Sequence, residues 1–359
     1  MENMPVAFRP MSNPRISKIK VNSNPFLDRL DTFTFDRLRI PKYRLISLFC
    51  GGGGLDLGLG FAGFESSVVS DLVPAFVDTV THNLPFAKGL SIDALKLSGS
   101  HLMELANSQN IDLVAAGPPC QAFSILGRRG ALDDPRGKLA LKYFELVKEI
   151  APKAFLFENV PGLLTVNKGL DWQRLIDYAR NVTGYNLHFT KLNAVNFGIP
   201  QFRERVIVVG FREELKFTFP SPIVQTQSEL APSIWALQRV RNLPNHDIRE
   251  HGERVRNRYA AIPQGARDST DHTDRINSEK PSGTVLVGSS AGGGRPHIHP
   301  LEHRVITVRE AARLQSFPDW YEFRGTGTSQ YRQVGNAVPP LLAFEIGKSI
   351  RAALDQEKT

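Results

Sequence analysis

The chain has 359 residues, of which 41% are hydrophobic and 22% charged, and its 44 Lys+Arg against 36 Asp+Glu leave a formal charge of +8. That length accommodates two domains, and the apolar fraction with scattered Gly and Pro excludes a collagen-like or wholly disordered chain. No apolar run approaches the roughly 18 residues of a membrane helix, and the start MENMPVAFRPMSNPR lacks the layout of a secretory signal, so a cytoplasmic protein without a membrane partner is expected.

Residues 1–42 are rich in Asn, Pro, Ser and basic side chains, with one short amphipathic stretch from Phe26 to Leu38, and read as a loose arm. Regular structure begins with the β-rich run RLISLF, which stops at the glycine cluster Gly51–Gly54 and gives way to the helical LDLGLGFAGF. The alternation continues with SSVVSD as a strand, PAFVDTVTHNL as a helix, IDLVAAG as a strand, KLALKYFELVKEIA as a helix and KAFLFENV as a strand. Such alternation predicts an α/β fold, a doubly wound and mostly parallel sheet with ligand chemistry at the carboxyl ends of its strands. Two more strands, NLHFTKLNA and RERVIVVGF, precede a change of texture. From Lys216 to His303 the chain is rich in Pro, Gly, Ser and Arg, which marks a smaller, loop-rich domain. Helical patterning returns at TVREAARLQSF and in AVPPLLAFEIGKSIRAAL. The resulting plan is a core of residues 43–214, a small domain with hinge at 215–329, and a segment 330–359 that packs back on the core.

The strand ends carry the chemistry. Phe49 leads into the glycine turn, where backbone amides can approach a ligand. The only GxGxxG spacing, Gly58-Gly60-Gly63, falls inside the helical stretch, so it reads as helix packing and weakens a nicotinamide-dependent oxidoreductase. Asp71 ends the second strand, where a carboxylate can take ribose hydroxyls, and Asp93 could accept from a purine amine. Together these residues outline a pocket for an adenosine-containing cofactor. With two cysteines there is no disulfide framework or thiolate zinc site. Cys50 reads as a small spacer, whereas Cys120 follows the rigid Gly117-Pro118-Pro119 at a strand end, the placement of a nucleophile. Glu158 closes an apolar strand, an environment that raises a carboxyl pKa. Arg203 and Arg205 lie on one side of an extended segment and could aim cationic forks at Cys120 and Glu158. His297, His299 and His303 have a spacing compatible with a metal, but loop histidines beside Arg more often meet phosphate or solvent, and no metal is expected.

These motifs and their order resemble DNA (cytosine-5) methyltransferases of the bacterial restriction-modification type. FCGGGGLDLG, GPPCQAFS, FENV, NFGIPQFRERV, RVITVREAARLQSFPD and QYRQVGNAVPPLL match that family's motifs from about Leu45 to the C-terminus. The resemblance implies a Rossmann-like S-adenosylmethionine-dependent methyltransferase with a target-recognition domain, acting on double-stranded DNA as a monomer. It implies that Cys120 adds to C6 of a flipped-out cytosine, with Glu158, Arg205 and Arg203 stabilising the adduct. It places Phe49, Gly51, Gly53, Leu55, Asp71, Leu72, Asp93, Pro118, Asn336 and Ala337 around the cofactor. Asp71 stands where the family usually has Glu, and Leu72 where an aromatic is common. SILGRRGALDDPRGK resembles the family's mobile loop, so that Gln121, Ser124, Arg128, Arg129 and Arg136 are expected on DNA, joined by Thr284, in a recurring Thr-Leu/Val pair, and by Arg295. A cognate restriction endonuclease would share the target site without direct contact. The rival readings are an RNA (tRNA) cytosine-5 methyltransferase and a catalytically idle DNA-binding regulator; the loop-rich domain argues against the first, and Cys120 with Glu158 and Arg205 against the second.

Overall fold

Alternating side chains along the central strands feed two separate cores, one on each face of a single seven-stranded sheet. The strands are β1 (Tyr43–Leu48), β2 (Phe64–Asp71), β3 (Lys88–Ser91), β4 (Leu113–Ala116), β5 (Ala154–Asn159), β6 (Asn186–Asn193) and β7 (Glu204–Phe211). Leu45, Leu113, Ala115, Leu156, Ile207 and Val209 enter one core, while Ile46, Val114, Ala116, Phe155, Phe157 and Val208 enter the other. That is why β4 and β5 read as continuous apolar runs: both faces are covered. The computed structural model describes residues 24–39, 41–119, 135–285 and 296–358. Cys120, Gln121, Ser124, Arg128, Arg129 and Arg295, and the side chain of Arg136, lie outside the described residues.

The strand order is β3-β2-β1-β4-β5-β7-β6, with β7 antiparallel to both neighbours and the remaining pairs parallel. The order reverses between β1 and β4, which opens a crevice at their carboxyl ends. Helices α2 (Gly54–Phe61), α3 (Pro74–Asn83) and α11 (Pro340–Leu354) contribute to the first core, and α4 (Gly99–Leu105), α5 (Pro135–Ile150) and α6 (Leu170–Thr183) to the second. Gly58 and Gly347 let α2 and α11 meet: a Cβ on Gly58 would strike Pro340 O and Ala343, and one on Gly347 would lie 2.7 Å from the Ala62 Cβ. The misplaced GxGxxG is thus a packing feature.

The loose arm expected over residues 1–42 is corrected from Asn24 onward. Here α1 (Pro25–Asp31) and a 3₁₀ turn at Phe35–Arg39 bury Phe26, Leu27, Leu30, Phe33 and Leu38 in the first core. Phe33 packs edge-on against Phe61 and Phe344, with ring centroids 4.6 and 5.0 Å apart. Arg29 donates to Phe197 O and to Glu345, Asn24 to Trp235 O, and Trp320 to Phe33 O. The apolar residues at helical spacing have partners from far along the chain, and that burial orders the strap.

Between β7 and residue 307 the described residues form only short elements, among them α7 (Ile234–Leu237) and α8 (Glu253–Ala261), around a small core of Tyr259, Ile298 and Val305. Arg275 substitutes for regular hydrogen bonding there, donating to Tyr259 O, Ile262 O and Pro300 O. A Thr307–Glu310 capping box then starts α9 (Val308–Leu314), and Glu310 also receives both terminal nitrogens of Arg304 at 2.8 Å. Helix α10 (Gly327–Asn336) brings the chain back over the glycine turn.

Asp56, in the first turn of α2, is fully buried; Ser66 donates to its Oδ1, and its Oδ2 has no partner among the described residues. Burial pushes its pKa from 3.8 to about 6, against the pull of the Ser47 and Ser66 hydroxyls. The fold therefore favours the protonated acid: this stabilisation is present below pH 3.8 and lost as pH rises through about 6. Asp56→Asn is expected to raise unfolding stability by about 1–2 kcal/mol at pH 7, with the gain vanishing near pH 3.5. Urea midpoints at the two pH values measure this, and an equal gain at both would count against the buried charge as its cause.

Candidate active site

The turn after β1 is built from backbone conformations that most side chains avoid: φ is +55° at Phe49, +53° at Gly51 and +75° at Gly53. Its glycines divide their work. A Cβ on Gly52 would lie 2.8 Å from Gln333 O, one on Gly53 would meet the Tyr321 hydroxyl and one on Gly54 the Val338 carbonyl, so these three admit the C-terminal segment. Gly51 alone faces open space, its nearest neighbour Phe49 O at 4.0 Å. Leu55 and Cys50 are buried, and burial pushes the Cys50 thiol well above its ordinary pKa, as suits a spacer.

Asp71 stands beside that opening. Its Oδ2 accepts from Gly51 N at 3.0 Å and its Oδ1 from Val73 N at 2.9 Å, which fixes the carboxylate at the opening, where a hydroxyl could reach it. Burial raises its pKa; the backbone donors, and then Arg332, pull the other way. Leu72 follows at 68% exposed, a bare apolar surface next to the carboxylate. Asp93 lies just beyond β3, where its Oδ1 caps a 3₁₀ turn by accepting from Leu95 N. Asn336 is the exposed last residue of α10, and Ala337 is buried after it. An open glycine, a fixed carboxylate and an exposed apolar side chain at adjacent strand ends fit an adenosylated cofactor.

The second half of the site lies at the ends of β4 and β5 and the start of β7. A Cβ on Gly117 would sit 2.7 Å from Glu158 Oε2, so a side chain there would displace the carboxylate. Pro118 is buried and its carbonyl accepts from Asn159 Nδ2 at 3.1 Å, so the turn leading to position 120 is tied to β5. The antiparallel register pairs Asn159 with Val206, which puts Arg205 just past the end of β5. Arg205 Nε donates to Glu158 Oε1 at 2.6 Å with both side chains 10% exposed. Burial raises the Glu158 pKa, opposed by Arg205 and Arg203. Arg203 is 1% exposed; its Nη2 donates to Gly335 O at 2.8 Å, while Nε and Nη1 have no partner among the described residues. Its desolvation, with Arg205 adding to it, holds its pKa well below the ordinary arginine value. A buried cation with free donors beside a buried acid is costly to maintain unless something electron-rich enters.

Sequence reasoning missed three residues that assemble this half. Asn159 is one. Gln201 is fully buried: its Oε1 accepts from Val285 N, and its Nε2 donates to Leu314 O and to Gln315 Oε1. Gln315 in turn donates to Val334 O at 2.7 Å, so two glutamines join the small region, α9 and α10. Their only signal was a polar amide set among apolar neighbours. Thr284 donates its hydroxyl to Phe202 O, while the imidazoles of His297 and His299 are buried and hydrogen-bonded to Thr284 O and to the Leu301 and Glu302 amides. Burial lowers both histidine pKa values. His303, by contrast, is exposed.

A doubly wound sheet with one antiparallel strand, a cofactor crevice at β1 and β2, and a buried acid–arginine pair across the switch point defines a cofactor-dependent group-transfer enzyme of the methyltransferase class. The chain belongs to the C-5 cytosine-specific DNA methylase family, whose model matches residues 43–352. It is 34% identical over 325 residues to the type II methyltransferase M1.HphI of Haemophilus parahaemolyticus, covering 85% of this chain and 86% of that one. To M.XorII of Xanthomonas oryzae pv. oryzae it is also 34% identical, over 364 residues, with 86% and 84% covered. Among solved structures, an E. coli prophage-encoded protein described as a DNA modification methyltransferase superposes with a TM-score of 0.70 at 25% identity, over 88% of this chain and 100% of that one. The Dnmt2 methyltransferase of S. pombe shares the fold with a TM-score of 0.65 at 21% identity, over 89% and 100%. The protein is a DNA cytosine-5 methyltransferase that uses S-adenosylmethionine. No described helix is long and apolar enough to cross a membrane.

Proposed function

We propose that this enzyme methylates cytosine within one short sequence of duplex DNA, as a cytoplasmic monomer, and so shields that sequence from a cognate endonuclease. The observation that carries the chemistry is the buried Glu158–Arg205 pair, with Arg203 behind it, at the end of the turn that leads into Cys120. Cytosine is too unreactive at C5 until a nucleophile adds at C6. Cys120 supplies it: the sulfur–C6 bond forms and the ring electron pair moves toward N3 and C5. Glu158, whose burial favours the protonated acid, donates in that form to N3, while Arg205 donates to the carbonyl oxygen. S-adenosylmethionine supplies the electrophilic methyl group. Transfer of the C5 proton to water then re-forms the C5–C6 double bond and expels the Cys120 thiolate, and the N3 proton returns to Glu158. Because C6 lies within the base stack, the nucleotide must be flipped out, at a cost on the order of a few kcal/mol.

Asp71 would hold the ribose, and Phe49, Gly51, Gly53, Leu55, Leu72, Asp93, Pro118, Asn336 and Ala337 would form the rest of the cofactor pocket. DNA contacts would come from Gln121, Ser124, Arg128 and Arg136 after the nucleophile and from Thr284 and Arg295 in the small region. Residues 43–214 would then be the catalytic domain, 215–329 the reader and 330–359 the returning segment.

Two experiments test this. Transfer of a labelled methyl group to mixed-sequence duplex DNA and to tRNA in parallel, with base-resolution mapping, is expected to mark DNA at one recurring site; label confined to tRNA would overturn the proposal. Exchanging residues 216–303 for those of a relative with another target should redirect methylation, and an unchanged site would place recognition elsewhere.

A further inference from the structure

Arg332 lies on α10 one helical turn before Asn336, so the two exposed side chains share a face of the helix. The next residue, Gln333, presses its backbone on Gly52, which seats this turn of α10 on the glycine turn. From there the Arg332 guanidinium reaches across to α3, its Cζ 5.8 Å from the centroid of the Phe76 ring. The side chain therefore bridges the outer edge of the crevice into which Gly51 opens and whose inner wall holds Asp71. Asp71 feels its charge. Among the described residues Arg332 makes no ion pair.

The cofactor carries one anionic group, its amino-acid carboxylate. Asp71 and Asp93 lend the crevice negative charge, the Gly51 amide is spent on Asp71 and the Gly53 amide on Cys50 O, so an anion entering it gains from a cation at the rim. We infer that Arg332 is the counter-ion that binds the amino-acid carboxylate of S-adenosylmethionine, braced for that task against Phe76. This rests on the S-adenosylmethionine pocket described above. A guanidinium held over a ring by a cation–π contact spends none of its N–H donors there, which leaves them available for a carboxylate.

The test compares three ligands on the full-length protein by titration calorimetry: S-adenosylmethionine, S-adenosylhomocysteine, and 5′-methylthioadenosine, which lacks the amino acid. Arg332→Ala is expected to weaken the first two about ten-fold and leave methylthioadenosine as in the unsubstituted protein, whose binding also shows that the variant folds. Arg332→Lys should restore part of the loss, because it returns the charge without the fork. Equal weakening of all three ligands would overturn the assignment, since the arginine would then serve the adenosine half. Undiminished S-adenosylmethionine binding in Arg332→Ala would overturn it as well. Failure of the unsubstituted protein to bind any of the three would instead strike the pocket itself.

Discussion

Replacing Cys120 by serine is expected to lower methyl transfer by about ten-thousand-fold or more while DNA and cofactor still bind. The asymmetry follows from what each step requires. Binding in the proposed scheme draws on the recognition surface, the crevice and the phosphate contacts, none of which needs a thiolate. Addition at C6 does: an ordinary thiol has a pKa near about 8.5 and is partly ionised at neutral pH, whereas a serine hydroxyl is not, and no base beside it is evident in this motif. The supporting turn should survive the change, because Asn159 fixes Pro118 and Gly117 accommodates Glu158 independently of position 120. Steady-state transfer alongside filter or calorimetric binding measures both quantities. Turnover within ten-fold of the unsubstituted enzyme would dismiss Cys120 as the nucleophile, and joint loss of binding would mean that the substitution damaged the fold.

The doubly wound sheet was legible because its strands announce themselves locally. β1, β2, β4 and β5 are apolar runs that stop at glycine, proline or a carboxylate, with helical spacing between them. The elements that went unread lack such a signal. Helix α10 buries Gln333, Val334 and Gly335 and presents no apolar stripe, so its place depends on the glycine turn beneath it. Helix α6 shows a narrow stripe of Leu175, Ile176 and Ala179 among charges, and β3 has no fully buried residue. The strap at 24–39 shows helical spacing, yet what orders it is Phe61 and Phe344, one of them more than 300 residues away in sequence. The candidate site divides in the same way. Glu158 and Arg205 could each be read as a strand-end residue, but their 2.6 Å contact depends on β7 running antiparallel to β5, which is a tertiary fact.

That contact sets the second large effect. Glu158→Gln keeps the shape of the side chain but can neither pair as a carboxylate with Arg205 nor give a proton as an acid, and transfer is expected to fall about 100- to 1000-fold. Stability should fall too, by roughly 3 kcal/mol, because Arg205 and Arg203 would remain buried beside a neutral amide. The pH profile separates the catalytic role from the structural one. Burial raises the Glu158 pKa, so the protonated acid proposed to serve N3 persists above the ordinary carboxylate range and is lost as pH rises through the raised value. The unsubstituted enzyme should accordingly lose rate on the alkaline side of that value. The glutamine variant cannot lose a proton there, so its residual rate should lack this limb. An unchanged limb in Glu158→Gln would assign the titration to another group, and a rate within ten-fold of the unsubstituted enzyme would reduce the pair to a structural tie between β5 and β7.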